Sequence, residues 1–131
     1  MKKEFSGKWK ASRQTRKQRK YLANAPQHIK QKIFSSHLSK ELRQRHGRRS
    51  FQLKKGDTVK VMRGKLSGRT GKVSVVDITR MKVAIEGIQV TKKEGTKVNT
   101  WFNPSKLQII ELNLEDKRRL DSIKKQAEEK K

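Results

Sequence analysis

Phe51-Gln-Leu-Lys-Lys-Gly56-Asp57-Thr-Val59-Lys-Val61-Met-Arg63-Gly64 runs directly into Lys65-Leu-Ser-Gly68-Arg69-Thr-Gly71-Lys72-Val73-Ser-Val75-Val76-Asp77, and this stretch decides the fold. Val59 and Val61 alternate with polar neighbours, and so do Val73 and Val75, which is the period-two pattern of half-buried strands. Further strands are expected at Val83–Ile85, Ile88–Thr91, Val98–Phe102 and Leu107–Leu112, with turns at Gly64–Gly68, Asp77–Arg80, Lys92–Lys97 and Asn103–Ser105. Five or six short strands in about 60 residues, with no helix among them, favour a small closed barrel over a flat sheet. Its loops, rather than its core, then present the working residues.

Outward from that stretch the chain is dominated by charge. It carries 36 Lys+Arg against 12 Asp+Glu, a formal net charge of +24, and only 31% hydrophobic residues in 131. Charge of that size opposes compaction unless a polyanion neutralises it. Residues 1–50 hold 16 basic and 2 acidic residues, 51–112 hold 13 and 5, and 113–131 hold 7 and 5, so most of the excess precedes the strands. The lack of cysteine excludes disulfides and thiolate metal sites. No apolar run reaches the length of a membrane span and no signal-type apolar segment opens the chain, so membrane insertion is not expected.

Four regions follow. Residues 1–22 read as a basic arm whose only large apolar groups are Phe5, Trp9, Tyr21 and Leu22, with Ser12–Leu22 able to turn helical once its charges are neutralised. Residues 23–50 read as a short helical segment. In it, Asn24-Ala25-Pro26 is a cap candidate, Ile29, Ile33 and Phe34 begin an apolar face, Ser39 caps a second helix and Gly47 ends it. Residues 51–112 are the barrel. Residues 113–131 read as a helix or tail, lying on the barrel or partly frayed in solvent rather than forming a partner site, with Asn113 as N-cap, Glu115/Arg119 and Asp121/Lys125 as i,i+4 pairs, and a thin stripe of Leu120, Ile123 and Ala127.

The Gly56–Asp77 stretch resembles the KOW motif of SH3-like barrels in ribosomal and transcription proteins. Asn24-Ala-Pro-Gln-His28 to Gly47-Arg48-Arg49-Ser50 ahead of it, and Asn103-Pro104-Ser105-Lys106 with Ile109 and Leu112-Asn-Leu114 after it, resemble one universal large-subunit ribosomal protein family. The resemblance is to its archaeal and eukaryotic branch, counterpart of bacterial large-subunit protein twenty-four, and covers roughly residues 13–120. His37 departs from it, since relatives often carry proline after the paired serines. The lack of a long basic C-terminal extension favours an archaeal-type source. The resemblance implies a structural, non-enzymatic protein of the cytoplasmic large subunit. It implies binding to the 5′ domain of large-subunit rRNA near the nascent-peptide tunnel exit and support of subunit assembly. Neighbouring ribosomal proteins are implied partners, with factors at the tunnel exit as further candidates and Lys92–Lys97 as the hairpin approaching it.

The expected RNA-binding residues follow the basic segments. Lys8, Lys10, Arg13, Arg16, Lys17, Arg19 and Lys20 of the arm would neutralise phosphates, with Trp9 and Tyr21 free to stack on bases. His28, Lys30, Lys32, Arg43, Arg45, Arg48 and Arg49 extend that surface. Arg63, Gly64, Lys65, Arg69, Gly71 and Lys72 form a basic barrel rim, the glycines allowing tight turns and close approach. His28, His37 and His46 recur every nine residues and share no helical face, so no metal or other cofactor is expected. No nucleotide-binding loop, triad or small-molecule site is present, which leaves a small basic nuclease without support. The competing reading is a KOW-bearing transcription elongation or antitermination factor binding RNA and RNA polymerase. Such factors carry an α/β domain before the barrel, whereas the first 50 residues here show no strand-like run. A chromatin-type DNA binder ranks behind it, since charge alone does not separate DNA from RNA.

Overall fold

The computed structural model of the chain describes residues 5–9 and 11–128, with side chains as far as Lys125. Lys10 and the side chain of Ala127 lie outside the described residues. Seven strands form one sheet: β1 Ser35–Leu38, β2 Ser50–Gln52, β3 Thr58–Val61, β4 Thr70–Asp77, β5 Lys82–Thr91, β6 Lys97–Phe102 and β7 Leu107–Glu111. Their order is β2-β1-β7-β3-β4-β5-β6. Neighbours are antiparallel except β1 and β7, which run parallel. The helices are α1 Thr15–Asn24, α2 Gln27–Ile33, α3 Lys40–His46 and α4 Lys117–Glu128, with a 3-10 turn at Pro104–Lys106.

The sheet curls round one core. Inward-facing Val59, Val61, Val73, Val83, Ile85, Phe102, Leu107 and Ile109 meet Phe34, Leu38, Leu42, Phe51 and Leu53 from the segments before β3. Each such side chain contributes on the order of 1.5–3 kcal/mol when fully buried. Ser36 Oγ donates to the Pro104 carbonyl at 2.6 Å, joining β1 to the turn after β6 and drawing the two halves of the sheet together. The mainly β, barrel-like expectation with flanking helices therefore holds, and so does Ser39 as a cap, its hydroxyl accepting from the Leu42 amide.

Local corrections concern how the ends are made. The segment read as helical over residues 23–50 is interrupted between α2 and α3 by a strand, β1, because Ser35–Leu38 finds β2 on one side and β7 on the other. A strand therefore does lie within the first 50 residues, and its supposed absence is no argument against the elongation-factor reading. Asn24 is the last residue of α1, and Pro26 occupies the N-cap of α2. The two strands expected at Val83–Ile85 and Ile88–Thr91 are one, β5. A register shift between Val73 and Val75 turns Val75 outward, 43% exposed, and lets Val76 pair with Val83 instead.

The C-terminal helix is attached by a buried ion pair that the i,i+4 expectation did not contain. Arg119, 3% exposed, places Nη1 and Nη2 at 2.6 and 2.8 Å from the two carboxylate oxygens of fully buried Asp57. The same guanidinium donates to the carbonyls of Asn113 and Gln52, and lies 5.1 Å from the Phe51 ring centroid. Asp57 also accepts from the amides of Lys54 (2.9 Å) and Asn113 (2.8 Å). Asn113, expected as N-cap, is thus engaged in the turn before the helix. Asp116 takes the capping place, accepting from the Arg118 amide and pairing with Lys54 across the surface.

Breaking a buried pair strands one charge, which typically costs about 3–5 kcal/mol. Arg119→Ala and Asp57→Asn should each lower stability by that order in urea titrations. The double variant Asp57→Asn/Arg119→Met should lose clearly less than the sum, because the two sites are directly coupled. Gly71 tests the sheet itself. A Cβ there would lie 2.6 Å from Ile85 Cγ2 and 2.8 Å from the Glu86 carbonyl oxygen, and backbone cannot yield. Gly71→Ala should therefore cost roughly 1–3 kcal/mol as overpacking, read as a lowered melting temperature. The Asp116 carboxyl is held below its ordinary value of 3.8, chiefly by its hydrogen bond from Lys54. A depressed carboxyl stabilises above its unfolded value and stops doing so as pH falls through the folded one. Asp116→Asn should be the less stable protein at neutral pH, and the difference should vanish in acid.

Candidate RNA interface

The basic residues fall into three groups, each positioned by a different element. In the arm, α1 presents Arg16, Lys17, Arg19 and Lys20, all exposed, within one half of the helix circumference at 3.6 residues per turn. Arg13 precedes the helix and is also exposed. No residue of α1 is buried, so this face is set by helical spacing and not by packing on the core. Residues 5–9 fold back beside it. The Trp9 amide donates to the Ser6 carbonyl, Phe5 sits 4.9 Å from Tyr21 between ring centroids, and Lys17 Nζ lies 5.0 Å over the Trp9 ring. Lys8 is exposed on the turn between them.

The second group is divided in its use. Arg43 turns inward, its Nε donating to the Leu38 carbonyl at 2.8 Å, and Lys30 Nζ reaches the Ala23 carbonyl near the end of α1. Arg48 covers the Phe51 ring at 4.9 Å and shares a surface cleft with Lys32, Ser35, Ser50, Gln52 and Ser122. His28, Lys32, Arg45 and Arg49 are open to solvent. His46, at the end of α3, is held below the ordinary histidine value by burial and by the Arg45 charge, which keeps its ring uncharged near neutrality.

The third group is the β3–β4 hairpin loop. Val61 closes it at both edges, its carbonyl accepting from the Gly68 amide and its amide donating to the Arg69 carbonyl. Gly64 takes a φ of +95°, which a side chain would strain, and no atom lies within 4 Å of where its Cβ would be. Arg63, Lys65, Arg69 and Lys72 are all exposed around this loop. Gly71 differs, being half-buried in β4 against β5. Its missing side chain is explained by the neighbouring strand.

Sequence reasoning left out two residues that the structure adds. Lys106 is exposed and joins the hairpin loop, since its carbonyl accepts from the Met62 amide, a contact made only once β7 pairs with β3. Asn24 lines the aromatic cleft of the arm with Lys17, Lys20 and Tyr21, and its spacing from them on α1 was there to be read. In the β5–β6 hairpin Val90 and Val98 are paired and exposed, and Lys92, Lys93 and Lys97 are exposed around its tip. Among the described residues no three His, Asp or Glu side chains converge as metal ligands. No helix among them is long and apolar enough to cross a membrane.

Residues 12–126 match the family that unites the eukaryotic ribosomal proteins L26 with their archaeal L24 counterparts. The chain is 45% identical over 114 residues to the large ribosomal subunit protein uL24 of Methanosarcina barkeri, an alignment covering 87% of this chain and 98% of that protein. It is also 45% identical over 112 residues to uL24 of Methanoculleus marisnigri, covering 86% and 93%. The match spans α1, the sheet and α4 together, flanks as well as barrel. On that extent of agreement, the chain belongs to this ribosomal-protein family.

Proposed function

We propose that this chain is a structural, non-enzymatic constituent of the large ribosomal subunit that holds large-subunit rRNA through many phosphate contacts. The observation that carries the reading is the placement of charge. Among the described residues Arg119 is the one Lys or Arg buried, while the described arm cations, Lys32, Arg45 and Arg49 of the α2–β2 segment, and those of the β3–β4 loop are exposed. Lys8, Arg13, Arg16, Lys17, Arg19 and Lys20 form one contact region, with Trp9 and Tyr21 for bases and Lys10 beside them in sequence. His28, Lys32, Arg45, Arg48 and Arg49 form a second, with Lys30 and Arg43 holding it to the fold. Arg63, Lys65, Arg69 and Lys72 form the third, on a loop turned by Gly64, with Gly71 serving the packing of β4 on β5. Specificity comes from RNA shape, since no ordered set of base-reading side chains is displayed.

The finer placement also belongs to this reading: the 5′ domain of the rRNA, a position near the tunnel exit, and a part in subunit assembly within the cytoplasmic ribosome. Neighbouring ribosomal proteins are its protein partners, and the lysine-tipped β5–β6 hairpin is the element to meet tunnel-exit factors. The transcription-factor alternative loses its footing because the family match includes the segments on both sides of the barrel.

Each neutralised phosphate adds roughly 0.7–0.9 to the slope of log affinity against log salt, so about ten contacts give a slope on the order of −7 to −9. A slope near zero in a potassium chloride series with large-subunit rRNA fragments overturns the clamp. Removing residues 1–24 takes away the arm with α1, none of whose residues is buried. Circular dichroism should show the sheet intact, while the salt slope becomes shallower by that amount for each phosphate no longer neutralised.

A further inference from the structure

We propose that the cleft between residues 5–9 and α1 is a binding site for one unpaired nucleobase and its flanking phosphates. This deepens the rRNA-clamp reading and rests on it. The cleft is lined by Phe5, Ser6, Trp9, Lys17, Lys20, Tyr21 and Asn24, with a volume of about 350 Å³. That lies within the roughly 300–1,000 Å³ typical of small-ligand sites.

Its construction follows from two matching spacings. Phe5 and Trp9 are four residues apart, and so are their partners Tyr21 and Lys17 on α1, taken in the opposite direction. The N-terminal segment therefore runs back along one turn of the helix, laying one aromatic ring against each end of that turn. Lys17, Lys20, Tyr21 and Asn24 stand at i, i+3, i+4 and i+7, a single helical face. Phe5 and Tyr21 are tilted at 47° and brace each other. Trp9 remains 61% exposed with Lys17 over its ring, so a base stacking on the indole would lie beside that ammonium or displace it.

The chemistry of the lining selects the occupant. An aromatic wall favours a flat π-system, and stacking of a base on such a ring is tolerant of sequence. The Asn24 amide offers a donor and an acceptor to a base edge. Lys17 and Lys20 exclude a cationic ligand and favour phosphate on either side of the base. A fully paired duplex presents base edges and no free faces, so the ligand is a nucleotide unstacked from its helix, as in a bulge or loop.

The test uses the full chain with two RNA hairpins, one carrying a single bulged adenine and the other fully paired. Trp9→Ala should weaken binding of the bulged hairpin about 5- to 150-fold and leave the paired one nearly unchanged. Trp9→Phe, which keeps a ring, should restore most of the loss. With 2-aminopurine at the bulge, its fluorescence should be quenched by the parent protein and not by Trp9→Ala. Equal weakening of both hairpins, or of neither, overturns the base site while leaving the phosphate clamp standing. Failure of the parent protein to bind either hairpin overturns the clamp and the base site together. Trp9 lies outside the core, so the thermal unfolding of the sheet should match the parent in both variants.

Discussion

One buried carboxylate organises the chain. Asp57 occupies the turn entering β3 and receives Arg119 through both oxygens, together with the amides of Lys54 and Asn113. Through Arg119 it is further joined to the carbonyls of Gln52 and Asn113. Four sequence regions thus meet at a single charge: the end of β2, the turn before β3, the exit from β7 and the first turns of α4. An ion pair this deep offsets its desolvation only when every oxygen and nearly every N–H is used. Here Arg119 Nε alone finds no partner among the described residues. The net effect is positional: it fixes where α4 leaves the sheet.

That arrangement matters in a chain of 36 basic residues. A cation inside a small core is tolerable only with a dedicated anion, and the barrel region holds only 5 acidic residues against 13 basic ones. One of them, Asp57, is committed to Arg119; another, Asp77, binds its own turn through the Arg80 amide. Thr58 engages Glu111 across β3 and β7. With 12 acidic residues against 36 basic ones, most cations cannot each have an acidic side chain of their own. Their counter-charge has to come from outside, and the fold keeps them on loops and helix faces where it can arrive.

The strands were legible because Val59, Val61, Val73, Val83 and Ile85 alternate in a chain otherwise poor in apolar residues. The positions of β3 and β4, the Ser39 cap and the Gly47 stop were readable for similarly local reasons. What escaped reading was decided by distant partners. Ser35–Leu38 has only two large or apolar positions and becomes a strand because β7, some 70 residues later, offers it an edge. Val75 faces outward because an extra residue in β4 shifts the register, which alternation alone cannot show. Arg119 looked like half of a helical surface pair, and nothing local distinguishes it from Arg118. At the candidate interface the rim cations and the arm were visible as charge, whereas the inward turn of Arg43 and the reach of Lys30 to α1 depended on carbonyls supplied by the fold.

The arm poses the opposite physical problem to the barrel. α1 has ten residues, none buried, and helices shorter than about 12–15 residues are marginal in water. Arg16 and Lys20 stand at i,i+4, a like-charge spacing that costs a further ~0.2–0.5 kcal/mol. Among the described residues, Phe5 against Tyr21, Lys17 over Trp9 and the Lys30 ammonium on the Ala23 carbonyl help to offset this, all near the protein surface. Phosphates along the cationic half of α1 would reverse the sign of the Arg16–Lys20 term, turning mutual repulsion into shared attraction to one polyanion. The barrel is preorganised by its core and its buried ion pair, so its rim can engage without that ordering cost. On the proposed reading, an arm whose helix gains from neutralisation would add affinity at a second step, its order coupled to the RNA.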